Sequence, residues 1–342
     1  MSNSRMTVRE IAKLAGVSVA TVSRVSNGTG QVSEEMRRRV LNAIEEHGYR
    51  PDHLGRALAA GRHGALGLVF PGLSGPYFTE LIQGFESEAV PSRASVHILC
   101  THLRSDSDDQ VLEMGRRVDG VAVMGGTISD EALLRLAKMV PVVVVAGEGP
   151  GDIPSVRADN AGSMLALTRH LLTDHDLRDL VFFGNPAGSP DVSERWAAFR
   201  RAHRDLGIEP PAEPVAVSMQ QADGVLVADQ LLGGTHRPAG VVCANDEIAL
   251  GVLVGALGRG LRVPQDLILT GFDDMPAAAL VNPALTTVRQ PVCELTAEAA
   301  RLILRAAGQP GDTPAGSLVL PTELVLRRSC GCPAPLTGGA GR

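Results

Sequence analysis

The chain has 342 residues, 44% of them apolar and 20% charged, with a formal net charge of −6; the length calls for more than one domain, and the composition excludes disordered and collagen-like classes. No apolar run is long enough to span a bilayer, and MSNSRMTVRE has no apolar segment after its charges, so neither a membrane protein nor an exported one is expected. Residues 1–62 hold ten Lys/Arg against six Asp/Glu and the remainder 22 against 32, which points to a polyanion-binding head on an acidic body with another task.

In chain order the head comes first. Thr7 and Glu10 have the spacing of a capping box and start a helix on which Val8, Ile11, Ala12 and Ala15 share one face until Gly16 stops it. Ser18 caps a second helix running to about Ser26. Ser33, followed by Glu34 and Glu35, caps a third, whose Met36, Val40, Ala43 and Ile44 form an apolar stripe ending at Gly48. Two short helices joined by a turn containing glycine are the helix-turn-helix layout. In the second helix Val22 and Val25 face the core, and Val19, Ala20, Thr21, Ser23 and Arg24 point outward. That face is slim enough for a major groove, where Arg24 can pair with guanine and Val19 or Ala20 can touch a thymine methyl. A small helical subdomain with a solvated face is the alternative.

Beyond residue 62 the short apolar runs ALGLVF, VHILC, GVAVM, VPVVVVA, LVFF, GVVCA and LILTGF alternate with longer amphipathic segments, the pattern of parallel sheets covered on both faces. Ligands of such sheets bind beyond the carboxyl ends of strands, where Gly75-Pro76-Tyr77-Phe78, Asn185, Asn245-Asp246 and Asp273-Asp274 fall. Carboxylates and amides beside aromatics suit a polyhydroxylated ligand, although each residue alone reads equally well as a cap or a turn. The five cysteines, Cys100, Cys243, Cys293, Cys330 and Cys332, read as reduced and mostly buried thiols. Cys330-Gly331-Cys332 has no second ligand pair at zinc-like spacing, so no metal and no other cofactor is expected. No phosphate loop, His-Glu-x-x-His motif or nucleophile elbow supports an enzyme, and the neighbours Asp273 and Asp274 should point in different directions rather than act as a catalytic pair. A stand-alone metabolite-binding protein is the closer rival, and it would lack the basic head.

The run VREIAKLAGVSVATVSRVSNGTGQVSEEMRRRVLNAIEEHGYRPDHLGRALAAGR resembles the DNA-binding head of the lactose-repressor (LacI/GalR) family of bacterial transcription regulators. VDGVAVMGG, ADNAGS, SERWAAF, CANDEIALG, GLRVPQDLILTGFDD, PALTTVRQP and PTELVLRRS resemble the recurring body segments of that family, in order. The resemblance implies an α/β architecture: an all-α helix-turn-helix head over 1–50, a hinge helix over 51–62, and two doubly wound parallel-sheet subdomains like a periplasmic sugar-binding protein. These would take 63–160 with 289–320 and 161–288 with 321–332, leaving a tail at 333–342.

By the same resemblance Val19, Ala20 and Arg24 read bases, Ser18, Thr21, Ser23, Asn27 and Tyr49 contact or support the phosphate backbone, and Thr7 and Ala59 also lie at the DNA. Leu58 is the hinge's minor-groove wedge, in a helix that Gly55 weakens by roughly 1 kcal/mol. Tyr77, Phe78, Arg195, Asn245, Asp273 and Gln290 match effector-binding positions. Three features depart from the pattern. Ala146 replaces an acidic contact of the lactose repressor, Met219 falls about where relatives have an aromatic platform, and Val90 to Asp119 looks several residues short, with Pro91 interrupting the expected helix. The implied protein is a cytoplasmic, sequence-specific repressor that binds a pseudo-palindromic double-stranded operator as a homodimer, its tail CPAPLTGGAGR lacking the leucine heptads of a tetramer. A small metabolite, a sugar, would control it; a purine, a nucleoside or a protein corepressor is the alternative.

Overall fold

The computed structural model describes residues 6–27, 30–47, 63–234, 237–308 and 316–333, in two compact units whose boundary in the chain falls between Gly64 and Ala65. The hinge over 51–62, with Leu58 and Ala59, lies outside the described residues, as do Tyr49 and nearly all of the tail.

The head has three helices, α1 (Val8–Ala15), α2 (Val19–Asn27) and α3 (Glu34–Glu46). The capping box forms: the Glu10 amide donates to Thr7 Oγ1 at 3.3 Å, and the Thr7 amide donates to the Glu10 carboxylate at 2.7 Å. Gly16 ends α1 at φ 63°, the left-handed region open to glycine without strain. A Cβ there would also collide with Arg39, whose Nη2 donates to the Gly16 carbonyl at 3.2 Å. Ile11, Ala12, Ala15, Val22, Val25, Val40 and Ala43 close one small core. Met36, expected in the apolar stripe of α3, is instead 45% exposed, while Val32, in the turn before the helix, packs against the core.

The body builds a six-stranded parallel sheet and a three-stranded one. The first takes β1 (Ala65–Phe70), β2 (Ser95–Cys100), β3 (Val121–Met124), β4 (Val142–Val145) and β5 (Ser155–Ala158). The second takes β6 (Leu180–Phe183), β7 (Gly240–Cys243) and β8 (Ile268–Thr270) in that order. β9 (Thr287–Arg289) leads back, and β10 (Ser317–Leu320) completes the first sheet in the order β10-β5-β4-β3-β1-β2. β11 (Glu323–Val325) then pairs antiparallel with β9, Leu324 opposite Val288. All seven apolar runs of the sequence are strands. β1, β4 and β7 are buried along their whole length, as a parallel sheet between two helix layers requires. β2 is half-exposed because it is an edge of the first sheet, as is β10 on the other side.

The body's helices are α4 (Pro76–Ala89), α5 (Ser107–Gly115), α6 (Asp130–Ala137), α7 (Asn160–Thr173), α8 (Pro190–Asp205), α9 (Gln221–Leu232), α10 (Asp246–Gly258), α11 (Pro276–Leu280) and α12 (Val292–Gly308). α4 stops at Ala89, two residues before Pro91, whose ring cannot continue a helix. α12 crosses α4 so closely that a Cβ on Gly84 would lie 1.9 Å from the Cys293 carbonyl oxygen. The second sheet is sandwiched by Met164, Leu167 and Leu171 of α7, Val192 and Phe199 of α8, and Ile248 and Val252 of α10. Of the cysteines expected to be mostly buried, Cys243 and Cys330 are buried, Cys100 and Cys332 are half-buried and Cys293 is exposed. Cys293 follows Val292 at the start of an amphipathic helix and lies off its buried face. Beside Cys330 and Cys332 stand His170 and His175, a second donor pair that sequence spacing did not reveal.

Candidate nucleic-acid interface and ligand cavity

On α2, Val22 and Val25 are buried, Val19, Ala20 and Arg24 are exposed, and Thr21 and Ser23 are half-buried. The outward face is therefore narrow and ends in one cation. Ser18 takes the Thr21 amide on its Oγ at 3.1 Å, and the two hydroxyls lie 2.9 Å apart, so this pair is tied into the helix start. Thr7 is likewise held by Glu10, its Oγ1 donating to the carboxylate at 2.8 Å. Asn27 is the last residue of α2.

In the body a cavity of about 310 Å³ opens where the sheets present their strand ends, and Tyr77, Phe78, Arg195, Asn245 and Asp273 all line it, as do Ala146 and Met219. Tyr77 and Phe78 occupy the first turn of α4, directly after β1. Phe78 meets Phe70 and Tyr77 edge-on at 5.3 Å and 5.8 Å between ring centroids. Gly75, at φ 83°, lets the loop fold down against Glu247, whose carboxylate occupies the space a Cβ would need.

Arg195, on α8, is only 2% exposed. Its Nε donates to Asn160 Oδ1 at 2.7 Å, its Nη1 donates to the Ala244 carbonyl at 2.6 Å, and the guanidinium lies 3.7 Å over the Phe272 ring. Two carboxylates flank it, Asp191 at 3.7 Å and Asp273 at 3.9 Å. Those separations are too long for direct hydrogen bonds, so the guanidinium meets both carboxyls through charge rather than through a shared proton.

Burial pushes the Asp273 carboxyl up to about 7, against the pull of Arg195 and of the Gln290 amide. Burial likewise raises Asp191 and the Tyr77 hydroxyl. Asp273 has φ 121° and Ala146 has φ 56°, so two residues with side chains sit in a region that favours glycine, each at a cost of order 1–3 kcal/mol. Asp274 turns away from its neighbour to pair with Arg289 at 2.7 Å and Arg327 at 2.6 Å.

Two of the residues expected to contact an effector sit differently from a simple contact set. Gln290 is buried behind the wall, its Nε2 donating to Asp273 Oδ1 at 2.6 Å, so it positions a carboxylate. Asn245 lines the cavity with its amide already committed: Oδ1 caps α10 by accepting from Ile248 N at 2.9 Å, and Nδ2 donates to the Met219 carbonyl at 3.1 Å. Sequence reasoning missed Asp191, Glu247, Ser74 and Gln220, all in the lining, and Asn160 behind Arg195. Asp191 had a usable signal, since it lies four residues before Arg195 on one helix and therefore on the same face. Ser74 and Gln220 had none. They meet only through the fold, where Gln220 Nε2 donates to Ser74 Oγ at 2.6 Å across 146 residues of chain.

A three-helix head that exposes a slim reading helix, carried on an α/β body with a ligand-sized cavity, defines a DNA-binding transcriptional regulator. Residues 7–52 match the model of the lacI family of bacterial regulatory proteins, and residues 168–330 match a periplasmic binding protein-like domain. The chain is 32% identical over 328 residues to the ribose operon repressor of Halalkalibacterium halodurans, covering 94% of this chain and 96% of that protein. It is 31% identical over 331 residues to catabolite control protein A of Priestia megaterium, covering 95% and 99%. In fold it is similar to the lac repressor dimer bound to operator and the anti-inducer ONPF, with a TM-score of 0.84 at 24% identity over 95% of this chain and 99% of that one. The chain belongs to the lacI family of bacterial regulatory proteins, and so is a transcriptional regulator rather than an enzyme. Among the described residues no helix is long and apolar enough to cross a membrane.

Proposed function

We propose that the protein is a repressor acting in the cytoplasm, that two copies bind a pseudo-palindromic operator, and that an uncharged polyhydroxylated metabolite of monosaccharide or nucleoside size occupies the cavity and sets operator affinity. The exposed Val19, Ala20 and Arg24 of α2 read bases, and Ser18, Thr21 and Ser23 hold the helix on the phosphates. The observation that carries the ligand class is Arg195 between Asp191 and Asp273 in the lining, a guanidinium donor flanked by two carboxyl groups that can take hydroxyls. Three carboxylates, Asp191, Glu247 and Asp273, stand against one guanidinium in the lining, which disfavours phosphorylated sugars. The volume of about 310 Å³ is at the small end for ligand sites. Tyr77 and Phe78 supply an apolar edge for the ring.

A thermal-shift panel of monosaccharides, disaccharides, sugar phosphates, nucleosides and purines tests this. A ligand at about 100 times its dissociation constant adds roughly 2.7 kcal/mol, a visible rise in Tm. The expected hit is a neutral sugar whose effect disappears in Arg195→Lys, which keeps the buried charge but loses the planar fork. A purine hit would replace the sugar reading. Silence from every compound would favour a protein corepressor.

A further inference from the structure

His170 stands in the last turn of α7 and His175 in the loop that follows, while Cys330 ends a short 3₁₀ turn (Arg328–Cys330) and Cys332 lies two residues on. The chain brings the two pairs together from more than 150 residues apart, and one donor atom from each residue lies within 4.8 Å of all the others. The two imidazole Nε2 atoms are 3.1 Å apart. Cys332 Sγ is 3.4 Å from His170 Nε2 and 3.5 Å from His175 Nε2, and Cys330 Sγ is 3.9 Å from His170 Nε2.

A tetrahedral zinc ion with Zn–N near 2.0–2.1 Å and Zn–S near 2.3 Å has edges of about 3.3 Å between nitrogens, about 3.6 Å between nitrogen and sulfur and about 3.8 Å between sulfurs. The four separations just given stand close to those edges, and the other two lie within 4.8 Å. Two neutral imidazoles and two thiols packed this closely have few ways to satisfy one another, since one ring nitrogen must donate to the other.

The surroundings fit a metal as well. Asp174 Oδ2 lies 2.7 Å from His170 Nδ1, which fixes the tautomer that aims Nε2 into the cluster, the carboxylate–histidine arrangement that supports zinc-binding histidines. Thr286 Oγ1 lies 3.0 Å from Cys330 Sγ, placed to donate to a thiolate. Gly331 has φ 97°, and this left-handed residue between the cysteines lets the chain turn both sulfurs to one side.

We infer that His170, His175, Cys330 and Cys332 form a four-coordinate Cys₂His₂ zinc site that staples the segment after β11 to the end of α7. The donor set is closed, with no protein-free position for substrate, which makes the site structural. Binding displaces two thiol protons, and the two thiolates then balance the charge of the dication.

The test uses the full chain, expressed in zinc-supplemented medium and dialysed against a weak chelator, with metal content measured by mass spectrometry. The expected result is one zinc per chain. Its loss should follow Cys332→Ser and His170→Asn, and its retention should follow Cys293→Ser, which removes an exposed cysteine outside the cluster. Circular dichroism checks that each variant folds. Cobalt loaded into the metal-free protein should give the ligand-field spectrum of a tetrahedral ion together with thiolate charge transfer. Asp174→Asn, which removes no ligand, should weaken zinc affinity by roughly 10–100-fold in a competition titration. A zinc-free protein that also fails to take up added zinc or cobalt would overturn the site. So would zinc retained equally by every variant, or a Cys330–Cys332 disulfide in protein kept under reducing conditions.

Discussion

Arg195 is a buried cation whose partners were chosen by the fold rather than by the helix it stands on. Its hydrogen bonds reach α7 and the end of β7, and its carboxylate partners come from its own helix and from the loop after β8. Removing such a group leaves Asn160 and the Ala244 carbonyl buried without their donor and takes the cation from Asp191 and Asp273, whose carboxyls burial already raises, a change that costs about 1–3 kcal/mol. Arg195→Ala should therefore lower the midpoint of urea unfolding strongly as well as abolish ligand binding. An unchanged midpoint would mean that water takes over the hydrogen bonds Arg195 makes to Asn160 and Ala244.

Asp273 gives a separate pH signature. Its folded pKa, about 7, stands above its unfolded value of 3.8, so the folded state holds a proton that the unfolded chain releases between those values. The stability tied to this proton is complete below pH 4 and is lost as pH rises through 7, a difference of a few kcal/mol at most. Asp273→Asn should flatten the fall in stability between pH 5 and pH 8, measured by urea midpoints at both. A slope identical to that of the unaltered protein would place the proton elsewhere.

At the scale of elements, α1 and α2 carry the head's predictions. Thr7→Ala removes the hydroxyl half of a formed capping box and should cost about 1 kcal/mol, read as a lower melting temperature of the head by amide exchange. Arg24→Ala should lose roughly 1–3 kcal/mol of operator affinity and relax preference at one base pair, assayed against a library of single-base operator variants. A uniform loss across the library would assign Arg24 to a phosphate.

These helices were legible in the sequence because their signals are local: the Thr7 and Glu10 spacing, the serine caps, the stop at Gly16. The seven Val/Leu/Ile-rich strands were legible for the same reason. β5, with sequence SVRA, was hidden because a four-residue strand carrying an arginine has no apolar run. β9 and β11 were hidden because each is only three residues long and their pairing joins segments more than thirty residues apart. The cavity was legible at strand ends, where polar residues follow apolar runs, and for that reason Tyr77, Asn245 and Asp273 could be picked out. Its other polar wall, Ser74 with Gln220, depends on a contact that no local pattern encodes. The same holds for His170 and His175, which look like scattered helix-end histidines until the chain terminus folds back on them.

For the molecule as a whole, the cavity matters to transcription only if its ligand distinguishes the operator-bound form from the free one. The Ser74–Gln220 bond and the Arg157–Glu194 pair at 2.8 Å each join a strand-end loop or strand of the first sheet to an element of the second. A ligand held by Tyr77 on one side and Arg195 on the other would sit between the elements that these contacts join. Coupling of this kind is reciprocal in free energy. If the metabolite changes operator affinity by some factor, the operator must change metabolite affinity by the same factor, expected between about 5-fold and 150-fold. Calorimetric titration of the metabolite into free protein and into the protein–operator complex, beside operator binding with and without saturating metabolite, measures both sides. Ser74→Ala should shrink both factors together if the coupling runs through this contact, because it removes a hydrogen bond that joins the two sides of the cavity while leaving the head untouched. A Ser74→Ala protein whose two factors stay at the unaltered value would show that the coupling does not pass through that side of the cavity.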